Sequence, residues 1–309
     1  MNSLKNQPLV SIIINCKNGE KYLKETIDSI YKQKYLNFEI IYFDNNSKDS
    51  SLSIAQGFDG RLKIYKSKKE LSLGEARNEA LSYSSGEYIC YVDSDDSMLP
   101  NRLENQVNAL RKSKLLWSFG GYNQIDSKGK ILKKITMSTK SGIIFKKLLK
   151  RYFVNFQTVM FKRELTDQIS PFFDKNFFFG PDYNLIMILS MRFEACVIRN
   201  QLINYRVHSE SLTNFSSHLF ASEYLKTNKN LMELNNLLGK NYEKDIKRGE
   251  SQYYWLKTLD HLINKNTRSA KDSLRKIILK RFEYFLFFII LSFPFGDKIF
   301  MKLYKILKN

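Results

Sequence analysis

The chain has 309 residues, 43% hydrophobic and 14% aromatic, enough to bury a full core, and is long enough for one large domain with an appendage; a disordered chain is excluded. A formal charge of +19 predicts attraction to polyanions, whether nucleotide phosphates, anionic lipid headgroups or nucleic acid, without choosing among them. Of the three cysteines, Cys16, Cys90 and Cys196, two sit in apolar runs, so they read as small core residues of a reducing compartment and exclude a disulfide or zinc framework.

Residues Met1 to Pro8 are polar and the apolar run after them stops at Asn15, so no secretory signal is expected and a cytoplasmic location is. From Val10 to Asp93 short apolar runs alternate with segments of helical period, the pattern of parallel βαβ units. Strands are predicted at Val10–Asn15, Phe38–Asp44, Arg61–Lys66 and Glu87–Asp93. Leu23, Ile27, Ile30 and Tyr31 form one apolar stripe on a helix over Glu20–Gln33. A second helix, at about 50–57, has Ser47 and Asp49 as candidate caps, and a third, at about 73–84, turns Ala76, Ala80 and Leu81 to the sheet. Runs such as Ile40-Ile41-Tyr42-Phe43 indicate strands covered on both faces. Beyond residue 100, Leu115–Phe119 and Phe156–Phe161 are expected to extend the sheet, followed by a helix over Asp182–Arg192. From about Ser216 the chain reads as helical and Lys-rich. The expected fold class is therefore α/β: a Rossmann-like, mostly parallel sheet flanked by helices over 1–215, then a helical region over 216–309.

In such open sheets a ligand binds beyond the carboxyl ends of the strands, here marked by Asn15, Asp44 and Asp93. No G-x-G-x-x-G follows the first strand and no Walker lysine loop occurs, which excludes the usual dinucleotide and P-loop sites. Asp93-Ser94-Asp95-Asp96 follows the fourth strand directly. Carboxylates so close are costly unless a cation neutralises them, and Mg2+ or Mn2+ prefers such oxygens and bridges to substrate phosphates. The cluster therefore predicts a divalent metal on a diphosphate; the alternative is that Asp95 and Asp96 cap a helix beginning near Pro100.

The segments VSIIINCKNGEKYLKETIDSIYKQ (10–33), FEIIYFDNNSKDSS (38–51), LGEARNEALSYSSGEYICYVDSDD (73–96), FFFGPDYNLIMILS (177–190) and YRVHSESLT (205–213) follow one another along the chain. Over roughly the first 215 residues the chain resembles inverting glycosyltransferase family 2, with its GT-A fold. The resemblance implies a nucleotide-sugar donor and a glycan or lipid-linked glycan acceptor, with surface polysaccharide or lipopolysaccharide assembly as the setting. It implies that Asn15 and Lys17 line the base, that Asp44 binds base or ribose, that Arg77 lies near the donor with a cationic fork suited to phosphate or a carboxylate, and that Asp93 contacts ribose or metal. Asp95 becomes the chief metal ligand, with Asp96 auxiliary. Asp182 becomes the general base, behind Gly180-Pro181 at a helix start where the macrodipole favours an anion. His208 would reach the metal or diphosphate, the alternative being a surface histidine; Ser211 and Thr213 could donate to phosphate or sit in a turn. The chain departs from the family's pattern in Asn15-Cys16-Lys17, in Pro181 where a glutamate is usual, and in Glu79 after Asn78. These leave donor base and acceptor geometry open and keep a catalytically silent glycan-binding relative as an alternative. A nucleic-acid protein would need basic residues interleaved with a stacking surface, whereas this chain spreads its lysines and concentrates carboxylates at the crevice.

The run Tyr284–Phe295 is too short to span a bilayer. Its basic flanks, Lys280 and Arg281 before it and Lys298, Lys302, Lys305 and Lys308 after it, suit a helix lying on an anionic membrane surface at the cytoplasmic face. The alternative is a helix packed on the core.

Overall fold

The computed structural model describes residues 7–178, 180–208, 217–278, 284–293, 295–300 and 302. Two units divide the chain: residues 1–148 with 152–209, and residues 149–151 with 210–309.

The first unit begins as the sequence predicts, with β1 (Val10–Cys16), α1 (Glu20–Tyr31), β2 (Phe38–Asp44), α2 (Ser51–Gln56), β3 (Leu62–Lys66), α3 (Leu73–Ser82) and β4 (Tyr88–Tyr91). The strands lie in the order β3-β2-β1-β4, all parallel. Burial explains the continuous apolar runs: every residue of β2 is buried, and Val10, Ile12 and Ile14 meet Leu23, Ile27 and Ile30 of α1 in one core. Ser72 caps α3 reciprocally with Glu75, and Ala76, Ala80 and Leu81 are buried beneath it, as their spacing required. The Ser50 side chain does not cap helix α2, but Asp49 Oδ1 accepts the N–H of Ser51, its first residue. Ser47 Oγ accepts the Asn18 N–H and Asp49 Oδ2 the Glu20 N–H, tying the loop after β2 to the loop after β1. Strand β4 ends two residues earlier than its apolar pattern suggests, because the Asp93 N–H leaves the ladder and donates to Gln157 Oε1 at 2.9 Å.

Beyond it come β5 (Ser97–Met98), α4 (Arg102–Ser113), β6 (Trp117–Ile125), β7 (Ile131–Ile135), α5 (Phe145–Lys150), β8 (Met160–Lys162), α6 (Glu164–Gln168), α7 (Pro181–Arg192) and β9 (Ala195–Arg206). These continue the sheet as β4-β8-β6-β9-β5, with β7 on β6. Here pairing is mixed: β8 runs antiparallel to β4 and β6, while β6 and β9 are parallel. The Phe156–Phe161 run is split because Asn155 accepts the Gln157 N–H and folds Phe156–Thr158 into a 3-10 turn, leaving three residues for the strand. Cys16, Cys90 and Cys196 are all free and buried.

The second unit contains helices Ser217–Leu237, Glu243–Ile263, Thr267–Ile278 and Phe285–Ser292. It has its own core of Leu259, Leu262, Ala270, Leu274, Ile277, Leu291 and Phe300, with Trp255, Tyr284 and Phe287 packed against it. Within the 284–295 run Leu291 is buried in this core, while Phe285, Leu286, Phe293 and Phe295 are exposed. No helix of the described residues is long and apolar enough to cross a membrane.

Candidate active site

Four elements build the turn after β4. Thr26 Oγ1 on α1 donates to the carbonyls of Asp96 (2.7 Å) and Ser94 (3.0 Å). Gly19, just before α1, lies so close that a Cβ there would meet Ser94 Oγ at 2.7 Å and Cys16 Sγ at 2.8 Å. From β9, the buried Arg206 donates its N–H to Asp96 Oδ1 and its Nε–H to the Asp95 carbonyl, both at 2.8 Å, and ion-pairs with Glu25. From the 3-10 turn, Gln157 clasps Asp93, accepting its N–H and donating Nε2–H to Oδ2 at 2.6 Å. Sequence reasoning assigned no role to Gln157 or Arg206. Arg206 had a signal, lying two residues before His208 in the quoted Tyr-Arg-Val-His; Gln157 had none.

The three carboxylates offer oxygens within 4.8 Å of one another, but their settings differ. Asp96 is buried, and its carboxyl is held well above its ordinary range by burial first and then by the charges of Asp95 and Asp93, against the pull of Arg206. Asp93 is pushed up to about 7 by burial, with Arg77 opposing and Asp95 and Asp182 adding to the rise; its side chain stays 42% exposed, so solvent offsets part of that effect. Asp95, 32% exposed, lies 2.9 Å from Nε2 of His208, whose side chain is 10% exposed. His208 is thus no surface histidine; it also packs on Tyr22. The alternative of acidic helix caps fails, since α4 starts after Asn101 and no side chain caps it.

Arg77 joins this turn to the other predicted carboxylate. Buried on α3, its guanidinium lies 3.6 Å from Asp93 Oδ1 and 3.8 Å from Asp182 Oδ1, over the rings of Phe156 and Phe173. An aromatic floor holds the planar cation while its edge serves two anions. Asp182 is the second residue of α7, after Pro181 at the first position, where proline is compatible with a helix; its side chain is 30% exposed.

The remaining predicted residues are more scattered. Asn15 Nδ2 donates to the Ala76 carbonyl, and its Oδ1 has no hydrogen-bond partner among the described residues. Lys17 is half exposed and ion-paired with Glu70. Asp44 is fully buried, its Oδ2 accepting the Ser47 N–H at 3.2 Å, so here it holds its own turn. Ser211 and Thr213 lie outside the described residues.

The donor set fits a hard divalent cation. Asp93 and Asp95 offer carboxylate oxygens within 4.8 Å of each other, and His208 Nε2, hydrogen-bonded to Asp95 Oδ2, could add a nitrogen ligand once deprotonated. With Asp93 alongside, one cation would relieve the repulsion that raises the acidic turn. Asp96, enclosed and bonded to Arg206, serves the fold of the turn.

A parallel βαβ half passing into a mixed half, with carboxylates on the turn between them, defines the GT-A fold. S. aureus TarS, solved in complex with UDP-GlcNAc, matches it with a TM-score of 0.70 over 88% of this chain and 81% of that one, at 16% identity, a likeness of fold. The family model for glycosyl transferase family 2 matches residues 11–170, and the chain belongs to that family. A UDP-Glc:alpha-D-GlcNAc-diphosphoundecaprenol beta-1,3-glucosyltransferase of Escherichia coli, WfgD, is 34% identical over 54% of this chain and 66% of its own length. TuaG of Bacillus subtilis, provisionally named a teichuronic acid biosynthesis glycosyltransferase, is 31% identical over 53% of this chain and 66% of its own. The chain thus spans about two thirds of the length of these two relatives.

Proposed function

We propose that the protein is an inverting, metal-dependent glycosyltransferase that moves a sugar from a nucleotide-diphosphate donor to an acceptor hydroxyl in cell-surface polysaccharide or lipopolysaccharide assembly. The observation that carries this reading is Arg77 lying between Asp93 and Asp182, which puts a diphosphate-side carboxylate and a base-side carboxylate on either edge of one cation. Asp95 and His208, with Asp93 in reach, would hold a divalent ion, whose charge would neutralise the leaving diphosphate. Asp182 accepts the acceptor proton as that oxygen bonds to the anomeric carbon and the bond from this carbon to the diphosphate oxygen breaks. A single displacement needs one such base on the face opposite the leaving group. Arg77 holds Asp182 in place and adds positive charge beside the phosphates. Asn15 and Lys17 line the base, and Asp44, paired in register with Cys16, braces the turn beside them.

The names of the relatives support the class of substrate. WfgD acts on a diphosphoundecaprenol-linked sugar with UDP-glucose, by its name, and TarS binds UDP-GlcNAc. We take the same classes for this chain, a UDP-sugar donor and a lipid-linked glycan acceptor, which sets the reaction at the cytoplasmic face of a membrane. Pro181 leaves Asp182 facing Arg77, so the departure from the family's pattern does not favour a silent relative.

The test is binding and turnover across UDP-, GDP- and dTDP-sugars with Mn2+. Asp95→Ala should lose both metal-dependent donor binding and transfer. Asp182→Asn should keep donor binding while transfer falls by about 10²–10⁴, the usual contribution of a positioned base. Full transfer by both variants would end this reading.

A further inference from the structure

Helix Phe285–Ser292, sequence FLFFIILS, has no charged residue and ends in one serine. A helix apolar all round belongs in a core or in lipid. This one is half in a core: Leu291 is buried and Phe287, Phe288 and Ile290 pack against the cluster around Leu274. Other side chains here and in the segment after it face solvent: Leu286 is 63% exposed, Phe293 63%, Phe295 71% and Ile299 49%. Four large apolar side chains within fourteen residues exceed the single scattered hydrophobics of an ordinary surface.

Charge is distributed with the same bias. Residues 210–264 carry seven Lys or Arg and seven Asp or Glu, whereas residues 265–309 carry eleven and three. Basic side chains border the apolar stretch directly: Arg275 lies over Phe288 at 5.4 Å and Lys298 over Phe295 at 5.3 Å. Helix Thr267–Ile278 buries Ala270, Ser273, Leu274 and Ile277 and leaves Arg268, Arg275 and Lys276 in solvent. A second copy would set this excess positive charge against itself. The complement of an apolar strip edged with cations is an anionic bilayer surface, where the rings enter the acyl boundary and the cations meet headgroup phosphates.

We infer that Leu286, Phe293, Phe295 and Ile299, with the basic residues beside them, dock the C-terminal unit on an anionic lipid surface. This rests on the proposed function only for the side of the membrane; the surface itself stands on exposure and charge. It would hold the chain where lipid-linked acceptors are presented.

The test is co-sedimentation of the full chain with phosphatidylcholine vesicles and with mixed phosphatidylcholine and phosphatidylglycerol vesicles. Binding should require the anionic lipid and weaken with salt. A Leu286→Glu, Phe293→Glu, Phe295→Glu variant should lose binding while keeping its near-ultraviolet circular dichroism, since these side chains face solvent. Arg268→Gln, Lys276→Gln, Lys298→Gln should weaken binding by about 100-fold, at roughly fivefold per cation. Equal binding to neutral and anionic vesicles, or wild-type binding by either variant, would overturn the inference. So would a dimer in solution that the first variant dissociates, since the strip would then cover a second copy. Transfer to a soluble acceptor analogue separates the two proposals: loss of docking leaves it intact, and loss of Asp182 removes it without affecting docking.

Discussion

Single side chains hold the candidate site and the sheet beneath it in shape, and two of them allow quantitative expectations. Arg206 gives buried positive charge beside Asp96 and donates to the Asp95 carbonyl. Its bond to Asp96 comes from the main chain and survives truncation, but the Asp95 carbonyl and Glu25 lose their cation. A lost buried hydrogen bond from a charged group costs about 1.5–3 kcal/mol, so Arg206→Ala should lower unfolding free energy by that order in a denaturant titration. Adding Glu25→Gln should then cost little more, since its partner is already gone; fully additive losses would show that the two do not act together. Glu39 is the second case. Burial would raise its carboxyl, yet Lys63, Ser11 and Ser85 outweigh this and hold it down to about 2. A depressed carboxylate stabilises the fold above its unfolded value and loses that contribution as pH falls through its folded value. Roughly 2–3 kcal/mol should therefore be present at neutral pH and disappear between about pH 4.5 and pH 2. Glu39→Gln should flatten the acid side of a stability profile; an unchanged acid limb would refute this.

At the level of elements, the site depends on how closely segments approach. Gly86, before β4, has the Ser11 N–H nitrogen 2.5 Å and the Leu9 carbonyl oxygen 2.8 Å from where a Cβ would sit. Backbone of a central strand cannot retreat, so Gly86→Ala should destabilise by about 1–3 kcal/mol. Gly19 faces side chains instead, Ser94 Oγ and Cys16 Sγ. Gly19→Ala should push the acidic turn and weaken Mn2+-dependent donor binding more than it lowers the melting temperature. The comparison of the two variants by calorimetry and thermal scans tests the distinction. Much at this level was legible beforehand: β1 to β3 and α1 to α3 follow from apolar period, and α7 from Gly180-Pro181-Asp182. The exit of β4 was not, since it is Gln157, 64 residues away, that takes the Asp93 N–H out of the ladder.

On the scale of the whole molecule, two units with separate cores should unfold with different midpoints. The chain's two tryptophans report on one unit each: Trp117 starts β6, and Trp255 packs on Tyr284, Phe287 and Phe300. Fluorescence of Trp117→Phe and Trp255→Phe single-tryptophan chains in guanidinium should give two separate transitions, the Trp255 signal changing first because its core is smaller. Coincident transitions would mean that the chain unfolds as one.

The sequence by itself determined the order of strands and helices in the first half, the acidic turn as the centre of the site, and a charge excess that partners of opposite sign would meet. These are local properties: apolar period, turn chemistry and the spacing of like charges can all be read within a few residues. Tertiary structure alone decided that Arg77 would lie between Asp93 and Asp182, that His208 would meet Asp95, and that Asp96 would be enclosed by Arg206 while Asp95 stayed open. Each of these joins residues on different elements, often more than a hundred positions apart, and depends on strand register and packing that no local pattern encodes.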